Sequence, residues 1–220
     1  MEKGNLYAQY GCGLSAPVEW LNFDSSPTLR WERTPLIGRW TKNAERFPPH
    51  VKVGDIVTGL PLPAGSCKGV YASHVLEHLA RDDFYKALEN TFKLLAPGGI
   101  FRLIVPDLAY IGREYIRLLD NRDPEASHYL VNATIFGEET RPRGLTAMAY
   151  QMLNTSRHLW MWDEFSLRKA LEDRGFVHIR RCAFDDCDDP MFRLVESADR
   201  FERAAAMEAR KPIDPAAPKP

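Results

Sequence analysis

The 220-residue sequence lacks several features that would each assign it to a particular class of protein. No apolar run approaches the roughly 18 residues that suggest a membrane-spanning helix, and the first residues are too polar for a signal peptide. Lys and Arg number 29 against 30 Asp and Glu, so no excess of positive charge points to nucleic acid or to an anionic membrane. We therefore expect a cytoplasmic protein whose partners are neither membranes nor nucleic acids.

The sequence also lacks any grouping of cysteines. Its four cysteines are scattered along the chain, at Cys12, Cys67, Cys182 and Cys187. Such spacing neither builds a disulfide framework nor supplies the paired ligands of a zinc site. We expect four reduced thiols.

Apolar segments of strand and helix type alternate along most of the chain. Hydrophobic residues make up 45% of it, which is enough for the core of one ordinary domain. The patterns predict strands at residues 5–10, 19–23, 51–57, 69–73, 100–105, 176–184 and 191–196, and helices at 82–95, 108–119 and 162–174 with Asp163 as a plausible N-cap. This order predicts an α/β domain over residues 1–203, with a mostly parallel sheet covered on both faces. The proline-rich residues 204–220 are predicted to form a disordered tail.

Two connections depart from a regular alternation. Only about ten residues separate Gly13 from Asp24, whereas a crossover with its helix needs roughly 10–12 or more, so the first helix is predicted to be shortened or absent. After the fifth strand, residues 107–160 form a predicted insertion, which we interpret as a lid over the strand ends.

Chemically distinctive residues follow the predicted strands, one strand after another. The turn Gly11-Cys12-Gly13 follows the first strand, Asp24 ends the second, Asp55 lies at the third, and Ser73 and His74 end the fourth. In open parallel sheets, ligands bind beyond the carboxyl ends of the strands. These residues therefore mark the predicted site.

The order and spacing of these elements resemble the small class I S-adenosylmethionine-dependent methyltransferases. The resemblance covers about residues 5–197 and is closest to the group of predicted methyltransferases beside sugar-nucleotide and cell-surface polysaccharide genes. It implies a doubly wound, Rossmann-like fold with S-adenosylmethionine as cofactor. The motifs that carry it are GCG at 11–13, Asp24, GD at 54–55, YASHVLEH at 71–78, LLAPGG at 94–99, VPD at 105–107 and HLWMWD at 158–163.

The resemblance also implies a role for each cofactor-binding residue. Gly11 and Gly13 would pass the amino-acid end of the cofactor, since glycine allows the backbone to approach a ligand closely. Asp24 would accept both ribose hydroxyls. Asp55 would accept from the adenine amine, and Ile56 would supply an apolar wall for the ring. Ser73 and His74 would line the methionine part.

Methyl transfer is an in-line displacement in which the enzyme chiefly aligns the reacting groups. A general base is needed only when the acceptor is a poorly acidic hydroxyl or a protonated amine. The candidates are Glu77 and three histidines, of which we predict His74 and His158 as catalytic; the third is His78. The cluster Arg141, Arg143 and Arg157 could hold an acidic group of the acceptor.

His74 and His78, with Glu77 between them, also invite interpretation as a metal site. Their order is His-Val-Leu-Glu-His, however, and the zinc motif is His-Glu-x-x-His. The resemblance accounts for this segment without a metal, so we predict none.

The predicted function is transfer of a methyl group to a small-molecule or saccharide-type acceptor. One alternative is a non-catalytic protein that binds S-adenosylmethionine with the same fold, because the short first crossover would weaken the cradle around the cofactor. Another is a nicotinamide-dependent reductase, because residues 11–16 fit G-x-G-x-x-A. Against the reductase, Asp24 comes too early in the chain, and no Tyr-x-x-x-Lys pair occurs in the sequence.

Overall fold

The computed structural model describes residues 4–35, 45–137 and 157–213. Seven strands form one sheet: β1 (Leu6–Tyr10), β2 (Leu21–Asp24), β3 (Lys52–Val53), β4 (Cys67–Ser73), β5 (Leu95–Pro106), β6 (Val177–Arg181) and β7 (Ala204–Arg210). Their spatial order is β3-β2-β1-β4-β5-β7-β6. Neighbouring strands from β3 to β5 are parallel, and β7 is antiparallel to both β5 and β6. The predicted mostly parallel, doubly wound sheet is confirmed.

Five α-helices accompany the sheet in the described residues: α1 (Pro27–Glu32), α2 (Arg81–Leu94), α3 (Leu108–Asp120), α4 (Ala126–Thr134) and α5 (Glu164–Asp173). Helix α5 begins at a capping box, in which the Asp163 side chain accepts from the Ser166 amide and the Ser166 hydroxyl accepts from the Asp163 amide. The predicted role of Asp163 as N-cap is confirmed. No helix in these parts of the chain is both long and apolar enough to span a membrane.

The larger core lies between the sheet and helices α2 and α5. Phe84 and Leu88 of α2 and Leu167 of α5 are completely buried there. Phe84 stacks on Trp162, with ring centroids 3.9 Å apart. Burial of each such side chain stabilises the fold by about 1.5–3 kcal/mol.

The opposite face is covered differently, because no helix forms between β1 and β2 in residues 11–20. Trp20, at the end of this connection, packs against Phe192 with ring centroids 5.3 Å apart, and its indole nitrogen donates to the Met191 carbonyl. The irregular segment between β6 and β7 thus covers this face of the sheet. The prediction that the first crossover lacks a full helix is confirmed.

Arg102 of β5 holds the same segment by charge. Its side chain is 1% exposed and lies 2.6 Å from Glu196, 2.9 Å from Asp186 and 2.6 Å from Glu208 of β7. A fourth bond runs from its guanidinium to the Ala183 carbonyl. The buried cation is thereby matched by three carboxylates and one backbone carbonyl.

Two sequence predictions about the end of the chain are wrong. Residues 204–210 form strand β7 and not a disordered tail, because their small apolar side chains fit the buried space between β5 and β6. Residues 191–196 do not form a strand. Asp189 accepts from the Met191 amide, and Pro190 begins a short 3-10 helix, Pro190–Leu194. Residues 214–220 lie outside the described chain.

Candidate functional site

The turn after β1 depends on glycine. Gly11 has φ +64°, and a Cβ atom on it would lie 2.1 Å from Cγ2 of Val75, which is in the turn after β4. Gly13 has φ +54°, but its surroundings are open. Two adjacent strand ends can therefore meet only because the first turn has no side chain at Gly11.

Asp24 at the end of β2 is tied to this turn. Its carboxylate is 7% exposed, and one oxygen accepts from the Gly13 amide at 3.0 Å while the other accepts from the Ser26 amide at 2.8 Å. Each carboxylate oxygen can accept a second hydrogen bond. Burial, with the Asp24 charge nearby, raises the pKa of the Cys12 thiol to about 12, so this thiol stays protonated and is not a nucleophile.

The loop after β3 holds Asp55 and Ile56, the two residues predicted to contact adenine. Asp55 accepts from the Val57 amide at 2.9 Å, which is ordinary turn chemistry. Ile56 is 4% exposed and belongs to the larger core, so it has little surface left for a ligand. Asn90 of α2 fixes the loop by donating to the carbonyls of Ile56 and Val57 at 2.8 and 3.0 Å.

A cavity of about 220 Å³ opens at the carboxyl ends of β1 and β4. Of the residues predicted to bind the cofactor, Gly11 and Ser73 line it. Gly13, Asp24, Asp55, Ile56 and His74 lie outside this lining, although the Gly13 amide joins Asp24 to the same turn. The remaining lining residues are Gln9, Tyr10, Cys12, Ser15, Tyr71, Val195, Ser197, Asp199 and Arg200.

Two hydroxyl groups in the cavity wall lack hydrogen-bond partners of normal geometry in the described chain. They belong to Tyr71 and Ser73, two residues apart on one face of β4. Burial raises the pKa of the Tyr71 phenol, so it remains a donor. Buried polar atoms without a partner are costly, and a polar ligand in the cavity would satisfy both.

His74 has no free ring nitrogen. Its backbone φ is 53°, its Nδ1 lies 3.3 Å from the Glu77 carboxylate, and its Nε2 lies 2.9 Å from the Arg200 carbonyl oxygen. Burial alone would lower its pKa, but the bonds to these two acceptors outweigh burial and raise it. Because both of its ring nitrogens face acceptors, His74 holds two chain segments together and has no lone pair with which to accept a proton.

The second predicted catalytic residue, His158, lies with Glu77 and His78 and does not line the cavity. It is 8% exposed, and its ring centroid is 5.1 Å from that of His78. Burial lowers the pKa of His158, which favours the neutral ring. Of the predicted arginine cluster, the Arg157 carbonyl is 2.9 Å from His78 Nδ1, and Arg141 and Arg143 lie outside the described residues.

A second concave surface lies beside the segment that follows Arg157. Its volume is about 600 Å³, and it is lined by Ala80, Arg81, Asp82, Leu159 and Trp160. The Arg81 guanidinium is 5.3 Å from the centre of the Trp160 ring. Both the Leu159 and Trp160 amides donate to the Glu77 carbonyl, which fixes this surface to the turn after β4.

Sequence reasoning missed the cavity residues contributed by the segment between β6 and β7. The sequence pattern predicted a strand up to residue 196 and no element at residues 197–200. Nothing in this local pattern shows that the segment returns over β1 and β4. Gln9 and Tyr71 could have been predicted from the sequence. Each lies two residues before a residue that we predicted for the site, and each has a polar group. Period-two alternation places Gln9 with Gly11 and Tyr71 with Ser73.

Comparison with known proteins identifies the family. The model of the family described as a methyltransferase domain matches residues 15–180, which is most of the chain. The chain belongs to this family and is an S-adenosylmethionine-dependent methyltransferase. No curated protein sequence matches it.

Solved structures of methyltransferases are similar to this chain at low sequence identity. An S-adenosylmethionine-dependent methyltransferase of Thermotoga maritima, described as a possible histamine N-methyltransferase, is 14% identical, with a TM-score of 0.50 over 96% of this chain and 84% of its own. A methyltransferase of Archaeoglobus fulgidus is 14% identical, with a TM-score of 0.48 over 94% and 86%. A Haloferax volcanii complex of the Trm112 activator with a putative methyltransferase gives 17% identity and 0.47 over 96% and 84%.

Proposed function

We propose that S-adenosylmethionine lies across the carboxyl ends of β1, β2 and β4, with its amino-acid end in the cavity. The observation that carries this proposal is the pair of buried hydroxyls on Tyr71 and Ser73, which line the cavity with Gly11 and, apart from their interaction with each other, have no hydrogen-bond partner in the described chain. At about 220 Å³ the cavity is smaller than the roughly 300–1,000 Å³ of complete ligand pockets, so it fits one part of the cofactor. The adenosine part then lies toward Asp24 and Asp55.

The charges in the cavity wall suit an amino-acid zwitterion. Arg200 would pair with the carboxylate of the cofactor, and Asp199 beside it would attract the ammonium group. The Arg200 backbone is held by its bond to His74, so the two strand ends and this segment form one unit. His74 acts in this proposal as a positioning residue for Arg200.

Asp24 would bind the ribose. The two amides that it already accepts leave one lone pair on each oxygen, and two hydroxyls of a ribose need two such acceptors. Asp55 would accept from adenine with the oxygen that the Val57 amide does not use. Bound cofactor supplies an electrophilic methyl group, and the residues of this chain orient it.

For the acceptor, we propose a saccharide-type small molecule on the surface that contains Trp160. An exposed indole offers a face for the apolar side of a sugar ring, and Arg81 and Asp82 provide hydrogen-bonding groups for its hydroxyls. Trp160 is 41% exposed, which is high for so large a side chain. The predicted lid, residues 107–160, contributes Leu159 and Trp160 to this surface.

Two ligands separate the proposed roles of Asp24 and Arg200. S-adenosylhomocysteine contains the adenosine and the amino acid, whereas methylthioadenosine contains the adenosine, with its ribose, and lacks the amino acid. Asp24→Asn should weaken binding of both by at least about tenfold, because a charge-assisted contact is worth about 1.5–3 kcal/mol. Arg200→Met should weaken only S-adenosylhomocysteine. Calorimetric titration of each variant measures this.

The controls for this experiment come from the same chain. Asp123→Asn changes a partly exposed carboxylate that also accepts from a backbone amide, and Arg193→Met changes an exposed arginine on the segment that carries Arg200. Neither should alter either affinity. Equal weakening of both ligands by Arg200→Met would remove the amino-acid end from the cavity, and unchanged affinity in Asp24→Asn would remove the ribose from β2.

Transfer of a radioactive methyl group to a panel of sugars, nucleotide sugars and amines would test the acceptor. We expect label on a saccharide, with Trp160→Ala and replacement of His158 or of Arg141, Arg143 and Arg157 lowering transfer while cofactor affinity changes little. Label on amines alone would contradict the saccharide proposal. Loss of cofactor affinity in a folded Trp160→Ala variant would place this surface in the cofactor site.

A further inference from the structure

Three potential metal ligands converge beneath the turn after β4, outside the cavity. They are Glu77, His78 and His158, and one ligand atom of each lies within 4.8 Å of the other two. The Glu77 side chain is 1% exposed, and His158 is 8% exposed. His158 comes from the segment before α5, some 80 positions further along the chain, so the fold and not the sequence motif assembles the group.

Each member of this group has an atom that can offer a lone pair to a metal ion. His78 Nδ1 lies 2.9 Å from the Arg157 carbonyl oxygen, which can only accept, so Nδ1 carries a hydrogen and Nε2 is the nitrogen left to face a metal ion. Oε2 of Glu77 and Nδ1 of His158 lack a hydrogen-bond partner in the described residues, and the other Glu77 oxygen, Oε1, lies 3.3 Å from His74 Nδ1. The other nitrogen of His158 bonds to the backbone of Thr134.

His74 reaches only Oε1 of Glu77, so Oε2 and the two imidazole nitrogens face one another as buried acceptors, which is unfavourable, and a cation between them removes the cost. Two imidazole nitrogens and one carboxylate form a ligand set used for Zn²⁺ and for other divalent ions of the first transition series. A metal-binding histidine also commonly donates the N–H of its other ring nitrogen to a backbone carbonyl, as His78 does to Arg157.

We propose that Glu77, His78 and His158 bind one divalent transition-metal ion, with water completing its coordination. His74 is then not a ligand of the ion, but its Nδ1 lies 3.3 Å from the Glu77 carboxylate and helps to orient it. The ion would fasten the segment from Arg157 to Trp162 to the turn after β4, alongside the amide bonds to the Glu77 carbonyl. This goes beyond cofactor binding and does not depend on it.

The test is a titration of chelator-treated, full-length protein with Co²⁺, whose visible absorption reports its ligands, followed by Zn²⁺ with the melting temperature as readout. We expect one ion per chain and a higher melting temperature. Glu77→Gln and His158→Gln should each lower affinity by more than about 100-fold, since even groups that only orient a ligand contribute 10–100-fold. His128→Gln, an exposed histidine of α4, is the control and should bind normally.

Several results would overturn the proposal. One is the absence of Co²⁺ or Zn²⁺ binding at millimolar metal in folded protein, which would mean that a shared proton neutralises the group. Another is unchanged affinity in folded Glu77→Gln, or, should that variant unfold, in His158→Gln. A thiolate charge-transfer band would assign the ion to cysteine. Affinity for S-adenosylhomocysteine, measured in chelator, tests the cofactor site separately.

Discussion

At the scale of single residues, the segment between β6 and β7 is attached by a few polar side chains. Asp189 is the clearest example, because it accepts from the Tyr7 hydroxyl at 2.6 Å, lies 3.0 Å from Lys68 and accepts from the Met191 amide at 3.1 Å. Tyr7 is on β1 and Lys68 on β4. One carboxylate thus joins the covering segment to the two strands whose ends form the cavity.

This attachment gives a prediction about pH. Burial opposes ionisation of Asp189, but the bonds from Tyr7, Lys68 and Met191 outweigh it and hold its pKa below the ordinary value. Because the pKa is lower in the folded state than in the unfolded state, the ionised group stabilises the protein above about pH 4 and this contribution is lost as the pH falls. Asp189→Asn should therefore lower the free energy of unfolding at about pH 7 and have less effect at about pH 3.5.

Urea unfolding at both pH values measures this difference. Asp188→Asn is a matched control, since Asp188 is the exposed neighbour on the same turn. We expect it to change the free energy of unfolding by less than about 0.5 kcal/mol. An Asp189→Asn effect that is constant with pH would contradict the ionic attachment.

At this scale, sequence reasoning succeeded where the residue's position on a strand decided its location. Gly11 and Ser73 follow or end strands, and both line the cavity. The role of Ile56 stays a prediction, because an apolar residue in a turn has the same pattern whether it faces a ligand or the core, and the structure packs Ile56 in the larger core. The tertiary partners of His74 at Glu77 and Arg200 come from two separate segments, and no local pattern contains that information.

At the scale of elements, the contact between the turns after β1 and β4 limits what Gly11 can become. Gly11→Ala adds a Cβ in the left-handed region of φ, at about 1–2 kcal/mol, and also overlaps Val75, at about 1–3 kcal/mol more. Gly13→Ala has only the first cost, because nothing lies within 4 Å of its added Cβ. We expect Gly11→Ala to lower the free energy of unfolding more than Gly13→Ala does.

A double-mutant cycle isolates the overlap. The variant Gly11→Ala with Val75→Ala should recover part of the loss, whereas combining Gly13→Ala with Val75→Ala should give additive changes. Additivity in both cycles would show that the two turns are not in the tight contact described above.

A second prediction at this scale concerns the buried ion network that joins β5, β7 and the covering segment. Arg102→Met would leave the Glu196 carboxylate buried without its cation, although Glu208 keeps its ion pair with Arg180, and the loss costs about 3–5 kcal/mol. Arg193→Met removes an exposed ion pair with Asp185 and should cost less than about 1 kcal/mol. Denaturant unfolding compares them, and equal losses would contradict the structural role of Arg102.

At the scale of the whole molecule, the sheet and its missing first helix were predictable because strand and helix periods alternate over most of the sequence. Strand β7 was not, because its alanine-rich sequence has the composition of a tail and is a strand only in the space between β5 and β6. The same limit applies to the segment that covers the sheet near Trp20. Its place follows from where β6 and β7 lie, which is a property of the complete fold.

The structure and the family together give one coherent molecule. The missing crossover helix leaves one face of the sheet to be covered by Trp20 and by the segment between β6 and β7, and that segment then supplies one wall of the cavity at the strand ends. The central claim is that this edge of the sheet binds S-adenosylmethionine.

The most direct test of that claim is calorimetric titration of the full-length protein with S-adenosylhomocysteine, and separately with NAD⁺ and NADP⁺. We expect saturable binding of one S-adenosylhomocysteine per chain, a melting temperature that rises with its concentration as mass action requires, and no heat from the dinucleotides. Binding of a dinucleotide, with no binding of S-adenosylhomocysteine by folded protein at millimolar concentration, would contradict the claim.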